Sequence, residues 1–365
     1  MKTILSVVGT RPNFIKSVMI SKVINDVSGF REIKIDTGQH YDFGMSESFR
    51  KEFSAIVPDE VRSFSSTNSQ ERSKRLSHIT SWVKHIVKSV SPDIVFIYGD
   101  TDSSLCGVLG TRIDGRNIPI AHIEAGMRSY DDIPEEFNRA VIDQLSNLHF
   151  CSSTTAVNNL YEEYITGVFV GDVMLDLFNY VSLLGDNSKH DYPMEDYVLI
   201  TVHRDFNTKA DRLSRIVRLI NELSKSYRIV FPMHPRTRFA FANSKGFLSS
   251  HVLGDSVNVI DPVGYFKMNS LIRNAKLIIT DSGGLQKEAY FAKKPCVVLR
   301  DRTEWVELVE HGYVFLCNDI SEECFVRSVN LALDSCGKIK HTVPYGDGTA
   351  SNKIIDFVKN VFFRD

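Results

Sequence analysis

Residues 277–295, LIITDSGGLQKEAYFAKKP, restrict what this chain can fold into more than any other stretch. Leu277, Ile278 and Ile279 read as a buried strand, Asp281 to Gly284 as a tight turn, and the residues from Leu285 or Gln286 onward as a helix. A helix that opens straight out of such a turn leaves unpaired backbone N–H groups and a positive dipole end aimed at one spot, which suits a phosphate. Gly283 and Gly284 let the backbone come close to it, and Ser282 supplies a hydroxyl. Glu288, about one turn further on, is badly placed for a bare phosphate but well placed for the two hydroxyls of a ribose attached to one. The segment therefore reads as a nucleoside-diphosphate turn, although an ordinary strand-to-helix turn capped by Ser282 explains it equally well on its own.

The same alternation runs through the rest of the chain. Strands are expected at Ile4–Val8, Glu32–Asp36, Asp93–Tyr98 and Ile118–Ile123, with helices at Pro12–Asn25, Ser46–Phe53, Arg72–Val90, from Ser104, and at Pro134–Leu148. Residues 59–70 read as a loop. In the helix from Arg72, Leu76, Ile79, Val83, Ile86, Val87 and Val90 keep a helical period. The rhythm restarts after Val170: strands at Tyr197–Val202, Arg228–Pro232, Val257–Ile260 and Cys296–Leu299, and helices at Asp211–Lys225, after Tyr265, from Thr303 and from Glu322. Alternation of this kind argues for the α/β class, with two Rossmann-like doubly wound domains joined near residues 165–185. A length of 365 residues accommodates both. The expected boundaries are 1–170 for the N-terminal domain, with the final helix in 351–365 packing back on it, and 171–350 for the C-terminal, nucleotide-binding one.

A formal net charge of −2 excludes a globally basic nucleic-acid binder, so an anionic ligand must be held by a few placed cations. No segment approaches the ~18 apolar residues that span a bilayer, and MKTILSVVGTRP reads as a first strand rather than a leader. No membrane partner is expected. Cys106, Cys151, Cys296, Cys317, Cys324 and Cys336 show no metal-ligand spacing and read as free thiols of a reducing cytoplasm.

In doubly wound sheets the ligand lies off the carboxyl ends of the strands, so the residues that follow each strand are the candidates. After the first strand come Arg11 and Lys16, and after the second His40, which serves equally as a turn residue. Asp100 follows the strand ending at Tyr98, either as a tuned acid or base or as the cap of the next helix. Glu124 follows Ile123 beside His122, and Glu135 and Glu136 open a helix where carboxylates also suit the dipole. In the second half His203 and Arg204, and His234 and Arg236, end neighbouring strands and can clamp a diphosphate. The histidine spacing gives no support to a metal site. Asp261 to Phe266 form a loop whose backbone and Phe266 ring can hold a uracil.

GTRPNFIK, TGQHYD, YGDTDS, HIEAGMRS, PEEFNR, VGDVM, VHR, HPRTR, DPVGYF, DSGGLQKEA and RDRTEWVE stand here in the order seen in the non-hydrolysing UDP-N-acetylglucosamine 2-epimerases, which this chain resembles over nearly its whole length. PNFIK, GDVM, QKEA, KPC and TEWVELV look further like the branch acting on UDP-2,3-diacetamido uronic acids. The resemblance implies two Rossmann-like domains in a glycosyltransferase-B arrangement, an interdomain active site, a homodimer and no metal or nicotinamide cofactor. It also implies inversion at C2 of a UDP-sugar by loss and re-addition of UDP. Asp100, Glu124 and Glu136 carry over as the acid/base and charge-stabilising set, with Glu135 the alternative to Glu136, and His203 joins them. Arg11, Lys16, Arg204, His234 and Ser282–Gly284 carry over to the phosphates, Phe266 to the base and Glu288 to the ribose. Two positions depart from the pattern: Phe206 stands where a glutamate is usual, and Trp305 where many members carry an arginine.

Overall fold

The structure, a computed structural model, describes residues 1–39, 52–53, 59–61, 69–130, 132–184, 196–243, 253–317, 319–336 and 344–362. His40 and most of the helix expected at Ser46–Phe53 lie outside these residues. Contacts divide the chain into one unit comprising Met1–Tyr180 and Val343–Asp365 and a second comprising Val181–Thr342.

The first unit is built on a seven-stranded sheet in which every neighbouring pair is parallel. Its elements in chain order are β1 (Lys2–Val8), α1 (Arg11–Asp26), β2 (Phe30–Asp36), β3 (Glu60–Val61), α2 (Ser69–Val90), β4 (Ile94–Tyr98), α3 (Asp102–Ile113), β5 (Ile120–Ile123), α4 (Pro134–Leu145), β6 (Leu148–Cys151), α5 (Thr154–Glu162), β7 (Val168–Phe169) and α6 (Val173–Leu184). The strand order β3-β2-β1-β4-β5-β6-β7 reverses direction between β1 and β4. IVFIY in β4 is buried throughout, as a central parallel strand covered on both faces must be. Ile79, Val83 and Val87 of α2 are fully buried and pack with Leu5, Val7, Val95 and Ile97 of the sheet, so the period read from the sequence is the core-facing stripe.

The second unit continues with β8 (Tyr197–Thr201), α7 (Asp205–Thr208), α8 (Ala210–Leu223), β9 (Arg228–Pro232), α9 (Pro235–Asn243), β10 (Val257–Ile260), α10 (Tyr265–Asn274), β11 (Ala275–Thr280), α11 (Gly283–Phe291), β12 (Cys296–Val298), α12 (Val306–Glu310), β13 (Val314–Leu316) and α13 (Glu322–Ser335). Its six parallel strands run β10-β9-β8-β11-β12-β13, reversing between β8 and β11. Val198, Ile200, Ile216, Phe231, Ile279 and Val297 form the centre of its core. The last helix, α14 (Ala350–Phe362), belongs to the first unit, where Phe357 meets Phe150 edge to face. Among the described residues no helix is long and apolar enough to cross a membrane.

Several boundaries differ from the sequence reading. The helix from Pro134 stops at Leu145, and Leu148 already opens β6, because Asn147 turns the chain and takes its own backbone N–H to Ile120. Glu60 and Val61 pair with β2 instead of lying in a loop. The helix expected from Thr303 starts at Val306, since Thr303 and Trp305 bond to the neighbouring turn.

Candidate functional site

Each sheet changes direction at one pair of strands, and the candidate residues lie at or just beyond the carboxyl ends of those strands and of the strands beside them. In the first unit those strands are β1 and β4. Thr10 caps α1 through a reciprocal bond pattern with Asn13, and Asn13 Nδ2 reaches the Tyr98 carbonyl at 2.6 Å, which locks the end of β1 to the end of β4. Arg11 stands at the helix start, partly exposed. Lys16, one turn on and only 6% exposed, ion-pairs with the Glu124 carboxylate.

Glu124 ends β5 in the left-handed region, φ 69°, an unfavourable backbone for a residue with a side chain. Gly99, φ 62°, makes the space for its ion pair: a Cβ there would lie 2.5 Å from Lys16 Nζ and 3.2 Å from Glu124 Oε2. A buried polar cluster holds this corner. His122 bonds the Gly99 carbonyl through Nε2 at 3.0 Å and Asp143 Oδ1 through Nδ1 at 2.7 Å. Asp143 also receives the Gly126 N–H and Arg128 Nη1, and Arg128 forks onto Glu163 with two bonds of 2.7 Å. Burial pushes the Asp143 carboxyl up, but His122 and Arg128 outweigh it and hold it below the usual aspartate range.

Asp100 follows Gly99. Its role as a helix cap is ruled out, since Thr101 is the N-cap of α3 and accepts the Ser104 N–H. Arg139 of α4 instead donates to Asp100 Oδ2 from Nε at 2.9 Å and from Nη2 at 2.7 Å. The same guanidinium gives Nη1 to Glu136 Oε2 at 2.6 Å, so one cation ties two candidate carboxylates together. Glu136 further accepts the Ser129 and Tyr130 backbone N–H groups and the Ser129 hydroxyl. Burial raises its carboxyl, but the Ser129 N–H, Arg139 and the Tyr130 N–H together bring it below the usual glutamate range. Glu136 is thus an ionised acceptor at neutral pH, whereas Glu135 beside it is exposed. Behind them Asp102, also held low against its burial, receives Arg72, Arg75 and Asn138. Arg139, Asp102 and Asp143 were not singled out from the sequence, although Arg139 closes the PEEFNR motif.

In the second unit the strands at the reversal are β8 and β11. Asp281, fully buried at the end of β11, accepts the backbone N–H groups of His203 and Arg204 and the Asn207 amide, and so shapes the loop after β8. His203 Nδ1 lies 3.3 Å from Asp281 Oδ1, and its ring stands 5.3 Å from that of His234. Arg236 reaches the His203 carbonyl at 3.2 Å. The expected gathering of imidazoles and guanidiniums is present around this loop.

Helix α11 opens at Gly283, ahead of the Leu285 or Gln286 read from the sequence, with Ser282 as N-cap. A Cβ at Gly283 would meet Glu304 Oε1 at 2.5 Å, so the bare backbone here is what lets that carboxylate approach, with Arg204 Nη2 in ordinary contact range at 3.8 Å. Arg300 pairs with Glu304 at 2.9 Å. Glu288 is buried in the second turn of α11. Phe266 sits half-buried in the first turn of α10, beside the fully packed Tyr265. Phe206 is 56% exposed and carries the Arg212 guanidinium over its ring at 4.0 Å.

Comparison with known proteins adds the following. The profile of the family described as UDP-N-acetylglucosamine 2-epimerase matches residues 22–359. A UDP-N-acetylglucosamine 2-epimerase homolog of Methanococcus maripaludis is 39% identical over 98% of this chain and 99% of its own. The UDP-2,3-diacetamido-2,3-dideoxy-D-glucuronate 2-epimerase of Pseudomonas aeruginosa is 37% identical over 97% of this chain and 99% of its own. Among solved structures, the Methanocaldococcus jannaschii UDP-GlcNAc 2-epimerase in complex with UDP-GlcNAc and UDP superimposes with a TM-score of 0.87 at 30% identity, covering 98% of this chain and 99% of that one.

Proposed function

The chain belongs to the UDP-N-acetylglucosamine 2-epimerase family, and from that premise we propose that it is an isomerase that inverts C2 of a UDP-linked N-acetylated hexose, either UDP-GlcNAc or the 2,3-diacetamido uronate relative. The proton at C2 lies beside an N-acetyl group and is barely acidic, so the C1–O bond breaks as the proton leaves. The C2–H electron pair becomes the C1=C2 bond of a glycal, and UDP departs with the C1–O pair. Re-addition of UDP at C1 and of a proton on the opposite face of C2 completes the inversion. Charge spreading into the ring during both steps is stabilised by nearby carboxylates.

The observation that carries this reading is the grouping of Asp100, Glu124 and Glu136. Arg139 joins Asp100 to Glu136, and the Glu124 carboxylate lies against Gly99, the residue before Asp100, where an added Cβ would be 3.2 Å from its Oε2. In this proposal they exchange the C2 proton and stabilise the ring, assisted by His203. Arg11, Lys16, Arg204, His234 and the Ser282–Gly284 turn hold the diphosphate, Glu288 the ribose and Phe266 the uracil. Lys16, assigned here to the diphosphate, also ion-pairs with Glu124. The protein works as a homodimer, which size-exclusion chromatography with light scattering tests, and in the cytoplasm, where its buried cysteines stay reduced.

Incubation in D2O with UDP-GlcNAc, and separately with its diacetamido uronate relative, places deuterium at C2 of at least one while the sugar stays on UDP. Free sugar accumulating would make the protein a hydrolysing epimerase. UDP binding with no exchange would make it a UDP-sugar-binding regulator, and transfer to an acceptor without exchange a glycosyltransferase.

A further inference from the structure

We propose that Trp305, with Lys287 packed on its ring, is a positioning residue that holds the Ser282–Gly284 turn in its UDP-gripping shape and so limits escape of UDP during turnover. The inference rests on the function proposed above and adds a residue to it. Trp305 is 5% exposed, and its indole Nε1–H donates to the Gly283 carbonyl at 3.0 Å. A second brace runs beside it: Thr303 Oγ1 donates to Gln286 Oε1 at 2.7 Å, and Gln286 Nε2 donates to the Ser282 carbonyl at 3.1 Å. Trp305 N donates to Thr303 Oγ1 at 3.2 Å, which links the two braces.

A peptide unit is planar and trans, so its C=O and the following N–H point in opposite directions. Pinning the Ser282 carbonyl therefore fixes where the Gly283 N–H points, and pinning the Gly283 carbonyl fixes the Gly284 N–H. Those are the groups at the mouth of α11 that a phosphate would use. Adjacent glycines are the most conformationally free pair a chain can contain, and an unbraced pair would spend much of its time aimed elsewhere. Lys287 is fully buried with Nζ 4.0 Å from the Trp305 ring centroid, a cation–π contact that fixes the plane of the indole and hence the line of its N–H. Phenylalanine would keep the ring but lose the donor.

The chain has two tryptophans, Trp82 and Trp305, so Trp82→Phe leaves Trp305 as a sole emitter. UDP titrated into that variant should shift or quench its emission. Trp305→Phe should bind UDP about fivefold more weakly, the worth of one hydrogen bond. KM for the UDP-sugar should rise in step while kcat for C2 exchange holds, and more turnovers should end in free glycal plus UDP. Gln286→Met, which removes the other brace, should move the same quantities in the same direction and serves if Trp305→Phe does not fold. An unchanged Trp305 emission at saturating UDP overturns the proposal. So does a folded Trp305→Phe, or in its place Gln286→Met, that binds UDP and retains glycal as the wild type does. Failure of the wild type itself to bind UDP sinks the proposed function, and this inference with it.

Discussion

Glu124→Gln keeps the shape of the side chain and removes its charge, and the structure sets what that costs. The side chains of Lys16 and Glu124 are 8% and 9% exposed, so the substitution leaves a nearly buried ammonium facing a neutral amide. Breaking a buried pair by removing one partner costs about 3–5 kcal/mol, and because the glutamine carbonyl still accepts a hydrogen bond the loss here should be ~2–3 kcal/mol. It reads as a lower urea midpoint at constant slope. Loss of a general acid or base lowers rate by about 10²–10⁴-fold, so deuterium entry at C2 should fall by that factor. UDP affinity should stay within roughly threefold, because the substitution leaves the Lys16 charge and the Ser282–Gly284 turn in place, and any change should be toward tighter binding as Lys16 loses its neutralising partner. The assays are a urea melt, a UDP titration and proton NMR of C2 exchange at a temperature where the variant is folded. Unchanged exchange in folded protein removes Glu124 from the chemistry. Parallel loss of exchange and UDP affinity would instead make it a support for Lys16.

The other predictions concern the groups around that pair. Arg139→Gln removes one of the groups that, with the Ser129 and Tyr130 N–H donors, outweigh burial at Glu136, so the acid limb of the exchange rate, which lies below the ordinary glutamate value of about 4.3 in the wild type, should move to higher pH; an unmoved limb would mean that Glu136 does not control it. Stability should fall in two stages on acidification. Burial lowers the His149 imidazole, so the stability it confers is present above about 6.5 and is lost as pH falls through its lower folded value. Asp102, Asp143 and Glu136 are all held low by their partners despite burial, and their contribution is present above ~4 and lost only below. Circular dichroism across pH checks both stages, and His149→Gln should abolish the first alone. Ellman's reagent should react fast with exposed Cys336, whereas Cys106, Cys151 and Cys317, each pushed up to about 12 by burial, should wait for unfolding; a Cys336→Ser protein that keeps the fast phase would contradict this.

What the sequence displayed and what it hid follow from the range of the forces involved. Central strands such as IVFIY announce themselves because burial on both faces demands an unbroken apolar run. LHFC at Leu148–Cys151 is a short run interrupted by His149, and it follows a helix without a glycine or proline and merges with it on paper. The candidate side chains were visible because each lies just past a strand end or in the first turns of the helix that follows one. Their partners were not: Lys16 and Glu124 lie 108 positions apart and Arg139 and Asp100 lie 39 apart, distances closed only by the order of strands in the sheet. Asp100 competed with Thr101 for the helix cap, and only the bond from Ser104 N to the threonine hydroxyl decides between them. Trp305 showed itself solely as a departure from a pattern, and its bond to the Gly283 carbonyl gives that departure a physical content.

The pairing of acids with cations also answers a difficulty in the chemistry. A diphosphate would be repelled by several bare carboxylates grouped at one sheet end, and carboxylates that close would raise one another's pKa and protonate. Here each acid is matched: Glu124 by Lys16, Asp100 and Glu136 by Arg139, Asp102 by Arg72 and Arg75, and Asp143 by Arg128. The acids and cations so paired therefore leave little net charge at this sheet end, and the partners hold Glu136, Asp102 and Asp143 below their usual range. Orientation then does what net charge cannot, because a carboxylate oxygen fixed in direction by its partner stabilises positive charge at one place. Such an arrangement demands a rigid support, and the buried bonds of His122 to Gly99 and Asp143, with Glu124 held at positive φ, supply it.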